Sequence, residues 1–150
     1  MITVNTYTYA IIHNPDIPLL LNVKIADKEC LAIVDTGAQS SFIDNDFIEE
    51  NCLPVGQYKY MALSGIGFRP DMQSNHCTTI IELRDNDRSN HNYRLDCSTM
   101  DLSGIRYSFK DKGYEDVILI LGADWLKTVR AVIDVRERKL MITANEVIPE

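Results

Sequence analysis

The run VILIL, Val117–Leu121, constrains the fold of this chain more than any other segment. Five successive apolar residues show no alternation, so a strand built from them must be covered on both faces. Neither this run nor IPLLL, Ile17–Leu21, is long enough to span a bilayer. The segments around it are strand-like too. TVNTYTYAII (3–12) alternates Thr and Asn with Val, Tyr and Ala and reads as an exposed strand. LLLNVKI (19–25) and CLAIV (30–34) flank ADKE, a hairpin turn, and SSFI (40–43) is a further short strand. CTTIIEL (77–83) and NYRLDCSTM (92–100) are joined by the polar RDNDRSNHN, while RAVIDV, RERK and KLMIT close the chain as a last hairpin. DNDFIEENCLP, with Asp or Asn to cap it and Pro54 to close it, reads as a short helix, as does GADWLKTV. SGIRYSFKDKGYED (103–116) reads as a polar, aromatic and mobile connection. Many short strands and two short helices predict an all-β barrel or sandwich. With no linker or repeat, 150 residues predict one domain spanning 1–150.

A formal charge of −7 leaves no basic face for phosphate contacts, which argues against a nucleic-acid partner. The N-terminus lacks the basic start and apolar core of a secretory leader, so no membrane partner and a cytoplasmic location are expected. Four cysteines stand far apart with no C-x-x-C pair, and His13, His76 and His91 lack zinc-ligand spacing. No metal or cofactor is therefore expected. Cys30 and Cys97 lie in apolar strand runs and read as buried free thiols, which suits a reducing compartment, although an even count leaves disulfides open.

Three features carry the chemistry. The strand CLAIV climbs to one carboxylate, Asp35, and breaks at once into Thr36, Gly37 and Ala38. Average residue usage yields D-T-G-[A/S] by chance in on the order of a few chains per thousand of this length. A glycine-rich hairpin tip, SGIGF, follows about thirty residues on, inside YKYMALSGIGFRP (58–70). Last, VILIL runs into Gly122 and a short helix. A phosphatase with a strand-end Asp nucleophile wants a second carboxylate two residues on, and position 37 is Gly.

The order of acid loop, flexible hairpin and late apolar-apolar-Gly strand resembles the retropepsin family, the aspartic proteases of retroviruses and LTR retrotransposons. VILILGADWLKTVRAVIDVRERKLMI looks particularly like the Ty3-type retrotransposon proteases, and the resemblance covers about 19–143. It is poor between Arg84 and Asp116, and the first ten residues lie outside it. The resemblance implies a single-lobe, closed retropepsin-like β-barrel with one or two short helices, acting as a homodimer.

The implied activity is aspartic endopeptidase, with Asp35 catalytic. Water would be activated between two carboxylates that share one proton, and a chain with a single D-T-G must take the second from a partner copy. The resemblance further implies that Thr36 braces the loops across the two-fold axis, Gly37 allows close backbone approach, Ala38 keeps the loop slim and Ser41 supports it. Ser64, Gly65, Ile66 and Gly67 would form the flap, and Ile120, Leu121 and Gly122 would support the acid loop from beneath. Asp124 would cap its helix rather than pair with an Arg, and Trp125 would lie in the core. Asp134 reads as a strand-edge acid, and Tyr58 and Tyr60 as solvent-facing strand residues. Segments near Tyr7 and Met141 are candidate dimer strands. The substrate would be an extended polypeptide, with polyprotein processing the family expectation, in the cytoplasm or an assembling particle. A catalytically silent retropepsin-like dimerisation or protein-binding module is the alternative.

Overall fold

The computed structural model describes residues 2–57 and 75–147. The retropepsin-like all-β architecture is present. β2 (Leu20–Ile25) and β3 (Lys28–Val34) form a hairpin whose turn residues Ala26 and Asp27 both take positive φ. β4 (Phe42–Asp44) leads into α1 (Asn45–Glu50), and the short β5 (Val55–Gln57) follows. β6 (Asn75–Arg84) and β7 (Asn90–Met100) make the longest hairpin of the barrel. β8 (Val117–Leu121) is the VILIL strand. In the order β6-β7-β4-β8-β3-β2 these strands close into a six-stranded barrel, because β2 also meets β6 at Lys24↔Glu82.

Alternation along β3 sorts its side chains between two clusters. Cys30, Ala32 and Val34 enter the barrel core with Ile118, Leu119 and Leu121 of β8. Leu31 and Ile33 point the other way, into a second cluster with Leu20, Val117 and Ile120. β8 is thus covered on both faces, as its composition requires. The second cover is α2 (Ser103–Asp111), which contributes Ile105 and Phe109. This corrects the expectation of an irregular connection over 103–116 and gives three short helices among the described residues, where one or two were expected. Ile105 and Phe109 stand four apart and make a one-stripe apolar face. From its other side Arg106 donates to Asp44 at 2.8 Å, and the fully buried Asp44 carboxylate also accepts the Leu102 N–H at 2.9 Å.

β1 (Ile2–Ile12) is half-buried rather than exposed. Tyr9 and Ile11 lie in the core, and Tyr9 Oη meets Tyr93 Oη of β7 at 2.5 Å. Tyr7 stacks on His91 with ring centroids 3.8 Å apart. β1 pairs with β10 (Lys139–Val147) over nine residues from Ile2↔Val147 to Ala10↔Lys139, and β9 (Val132–Asp134) extends that sheet. The segments near Tyr7 and Met141 therefore pair with each other inside one protomer, Tyr7↔Ile142 and Thr8↔Met141. α3 (Ala123–Thr128) follows β8 and buries Trp125 and Leu126. Among the described residues no helix is long and apolar enough to cross a membrane.

Candidate active site

Asp35 stands one residue past β3, where the strand ladder makes its last bond: the Asp35 N–H donates to Leu121 O at 3.0 Å. Alternation puts its side chain on the same face as Leu31 and Ile33, outside the barrel core. The residue is half-buried, and Thr36 and Gly37 beside it are exposed. The chain turns back at once, with the Gly37 N–H donating to Asp35 Oδ1 at 2.9 Å and the Ala38 N–H to Asp35 O at 3.3 Å. A Cβ on Gly37 would lie 3.3 Å from the same carboxylate oxygen, so glycine keeps the acid uncrowded.

β8 and α3 hold this loop from below. Ile120 pairs with both Ile33 and Phe42, Leu121 accepts the Asp35 N–H, and the Gly122 N–H donates to Ser41 Oγ at 2.9 Å. Contact at Gly122 is so close that a Cβ there would lie 2.5 Å from Ser40 O and 2.8 Å from Ala38 O. The first N–H groups of α3, which a helix cannot satisfy itself, are taken by the loop: Ala123 donates to Ala38 O at 2.7 Å and Asp124 to Gln39 O at 3.1 Å.

Asp124 does more than the sequence suggested. Its carboxylate accepts the Trp125 N–H at 2.7 Å, and it also accepts Ser41 Oγ–H at 2.7 Å and Ser41 N–H at 3.1 Å. Gly122, not Asp124, occupies the N-cap position of α3, and among the described residues the paired arginines are Arg106, with Asp44 and Asp116, and Arg94, with Asp96. Ser41, wholly buried, is therefore the centre of a clasp between the acid loop and α3. A carboxylate two residues past the late glycine, matched to a hydroxyl six residues past the acid, was the available signal. Trp125 lies in the core against Tyr93, and Asp134 caps the final turn by accepting the Glu137 N–H at 3.0 Å. The expected flap residues Ser64, Gly65, Ile66 and Gly67, with Tyr58 and Tyr60, lie outside the described residues.

The structure thus brings together Asp35, Gly37, Ala38, Ser41, Leu121 and Gly122, and leaves Thr36 exposed beside the acid. Solved structures share the fold. The retroviral protease-like domain of Ddi1 from Leishmania major superposes with a TM-score of 0.53 at 19% identity, covering 84% of this chain and 86% of that one. A retropepsin-like aspartic protease from Rickettsia conorii gives 0.53 at 12% identity, covering 98% and 97%. No curated protein sequence matches the chain. The family model described as retroviral aspartyl protease matches residues 15–134, from the turn before β2 to the end of β9, and the chain therefore belongs to the retropepsin-like aspartic protease family.

Proposed function

We propose that the protein is an aspartic endopeptidase that works as a homodimer, with Asp35 of each protomer supplying one carboxylate. The observation that supports this most is the loop itself. One half-buried acid is anchored through its own N–H to Leu121 and through Oδ1 to Gly37, on a turn clasped by Ser41, Gly122 and Asp124.

One carboxylate serves peptide hydrolysis poorly, because the reaction needs a base for water and an acid for the scissile carbonyl. Two carboxylates sharing a proton divide those roles, the ionised one taking the proton from water and the protonated one donating to the carbonyl oxygen. The chain has a single D-T-G, so the second copy comes from a two-fold partner. Thr36, exposed next to the acid, is the residue that meets that partner and braces the paired loops. The substrate is an extended polypeptide with apolar side chains around the bond, and no metal or cofactor takes part. Processing of a polyprotein in the cytoplasm or an assembling particle is the setting that this reading favours, with the whole of 1–150 acting as one domain.

The test compares wild type with Asp35→Asn on a peptide library and on the protein's own precursor, with sedimentation in parallel. Cleavage by wild type, none by the variant, and a dimer in both is the expected result. A cleaving monomer at high concentration would refute the two-subunit mechanism. A firm dimer whose weak cleavage ignores Asp35→Asn would identify a silent dimerisation module instead.

A further inference from the structure

Two thiols meet one residue away from the support of the acid loop. Cys77 of β6 and Cys97 of β7 are direct register partners, and both are buried. The Ser98 N–H donates to Ser41 O at 3.0 Å, away from β6. The backbone polar groups of Cys97 therefore face β6, which makes Cys77↔Cys97 a hydrogen-bonded pair with Cα atoms about 5.5 Å apart, inside the range a disulfide spans. Directly opposed residues share a face, and Cys97 Sγ approaches Cys77 O at 3.4 Å. The remaining cysteines have no such partner: Cys30 is opposite Val23, and Cys52 is an exposed residue after α1.

We propose that Cys77 and Cys97 are a peroxide-responsive dithiol that closes into a reversible disulfide and, in doing so, disturbs the clasp of the acid loop. We assign Cys77 as the attacking sulfur, because the neighbouring Cys97 side chain holds the Cys77 thiol below its ordinary range, while the Cys77 side chain and burial push the Cys97 thiol up. The Cys77 thiolate attacks hydrogen peroxide, the O–O bond breaks, and hydroxide leaves and takes a proton to become water. The Cys97 sulfur then attacks the resulting sulfenic acid, the S–O bond breaks, the Cys97 proton leaves with the hydroxyl as a second water, and the S–S bond forms. Two thiols and one peroxide give one disulfide and two waters.

Geometry makes the bond reversible. Cβ atoms of a hydrogen-bonded pair stand about 5.5 Å apart, whereas a disulfide holds them near 3.8 Å. The Cα atoms are near enough, but the two residues must tilt their Cβ atoms toward each other, and a strained disulfide is the more easily reduced. That tilt of Cys97 pulls on the adjacent Ser98, whose N–H holds Ser41 O, and Ser41 is the residue that Gly122 and Asp124 share. The effect on cleavage rests on the protease reading; the disulfide does not.

The experiment treats the reduced, folded chain with hydrogen peroxide, quenches it, and counts thiols after denaturation. Two of the four thiols should disappear, return with a dithiol reductant, and map to a Cys77–Cys97 crosslink. Cys52→Ser should not change that loss. Four surviving thiols, or a reversible loss confined to Cys52, would overturn the couple. Peptide cleavage should fall about ten- to a hundred-fold on oxidation and recover on reduction, the scale of a sub-ångström to ångström shift of catalytic groups. Unchanged cleavage with the crosslink formed removes the link to the acid loop. A reduced protein that never cleaves sinks the protease reading while the thiol count still decides the disulfide.

Discussion

Adding one methyl group at Gly122 tests how tightly the acid loop is held. Its Cβ would stand 2.5 Å from Ser40 O, 2.7 Å from Ser40 C and 2.8 Å from Ala38 O, all backbone atoms that cannot rotate away. Ordinary contact begins at 3.4 Å, so the loop must retreat by roughly an ångström, and such a shift at catalytic groups costs about a hundred-fold in rate. The retreat also strains the bonds from Gly122 N–H to Ser41 Oγ and from Ala123 N–H to Ala38 O. Overpacking of this kind costs about 1–3 kcal/mol, and about 3 kcal/mol is the better figure where backbone meets backbone. A domain of this size then melts roughly 6–12 °C lower yet remains folded, since typical stabilities are about 5–15 kcal/mol. The assay pairs thermal denaturation with peptide cleavage for Gly122→Ala, Gly37→Ala and Gly104→Ala. Gly37→Ala, with 3.3 Å to the Asp35 carboxylate and an exposed position, should lose cleavage with little change in melting. Gly104→Ala, on α2 with nothing within 4 Å, should melt no lower than wild type and by helix propensity slightly higher. If Gly122→Ala melts like wild type, the close approach of β8 to the acid loop is not what holds that loop.

Other consequences follow from the same geometry. Asp35→Asn should abolish cleavage while melting and sedimentation stay close to wild type, because the anchoring N–H to Leu121 O belongs to the backbone. Arg106→Met strips the buried Asp44 carboxylate of its ion pair; denaturant titration should show a loss of about 3 kcal/mol, largely restored when Asp44→Leu is added. The Asp85 carboxylate is held below the usual carboxylate range by the Ser89 N–H, then by His91 and the Asp87 N–H. A depressed folded-state pKa gives stability that is present above pH about 4 and lost as the pH falls further. Asp85→Asn should therefore flatten the acid limb of a stability–pH curve and leave its neutral slope unchanged; an acid limb identical to wild type would place the sensitivity in another carboxylate.

The acid loop and β8 were legible because each imposes a pattern that few alternatives satisfy. A fully apolar pentapeptide must be enclosed, and an acid followed by Thr-Gly-Ala at the end of an apolar strand has few structural uses. α2 was hidden. Only Ile105 and Phe109 of its nine residues face the second cluster, so no long apolar stripe marks it, and the carboxylate that takes its first N–H is Asp101, one residue before the N-cap Leu102. The acid that holds it, Asp44, lies 62 residues away from Arg106 in sequence and could be matched only in space. The burial of β1 is hidden for a related reason. Its Thr and Asn residues suggested an exposed strand, but alternation sends Tyr9 and Ile11 inward, and burial pushes the Tyr9 hydroxyl above its ordinary range. Asp124 shows the opposite limit: its place after Gly122 was plain, but its choice of Ser41 over an Arg depended on how α3 turns back under the loop.

The region between Arg84 and Asp116, where likeness to the family was weakest, acquires a physical role from the composition of β8. In a barrel of this kind one face of each strand enters the core, and the other face of most strands is polar. β8 and the neighbouring Leu31 and Ile33 are apolar on that other face too, and alternation places Asp35 on the same side. Left uncovered, this patch would put Ile33 and Ile120 in water next to the acid, at about 1.5–3 kcal/mol for each large side chain. α2 closes it, with Ile105 and Phe109 inward and Arg106 fastened to Asp44 at the end of β4. α2 therefore belongs to the face that carries the acid, as a cover that the composition of β3 and β8 requires. An α2 replaced by a short Gly-Ser loop should expose that face, raise binding of an apolar dye and lower the melting temperature, with the barrel core intact by far-ultraviolet circular dichroism. Unchanged dye binding would mean that something other than α2 covers Ile33.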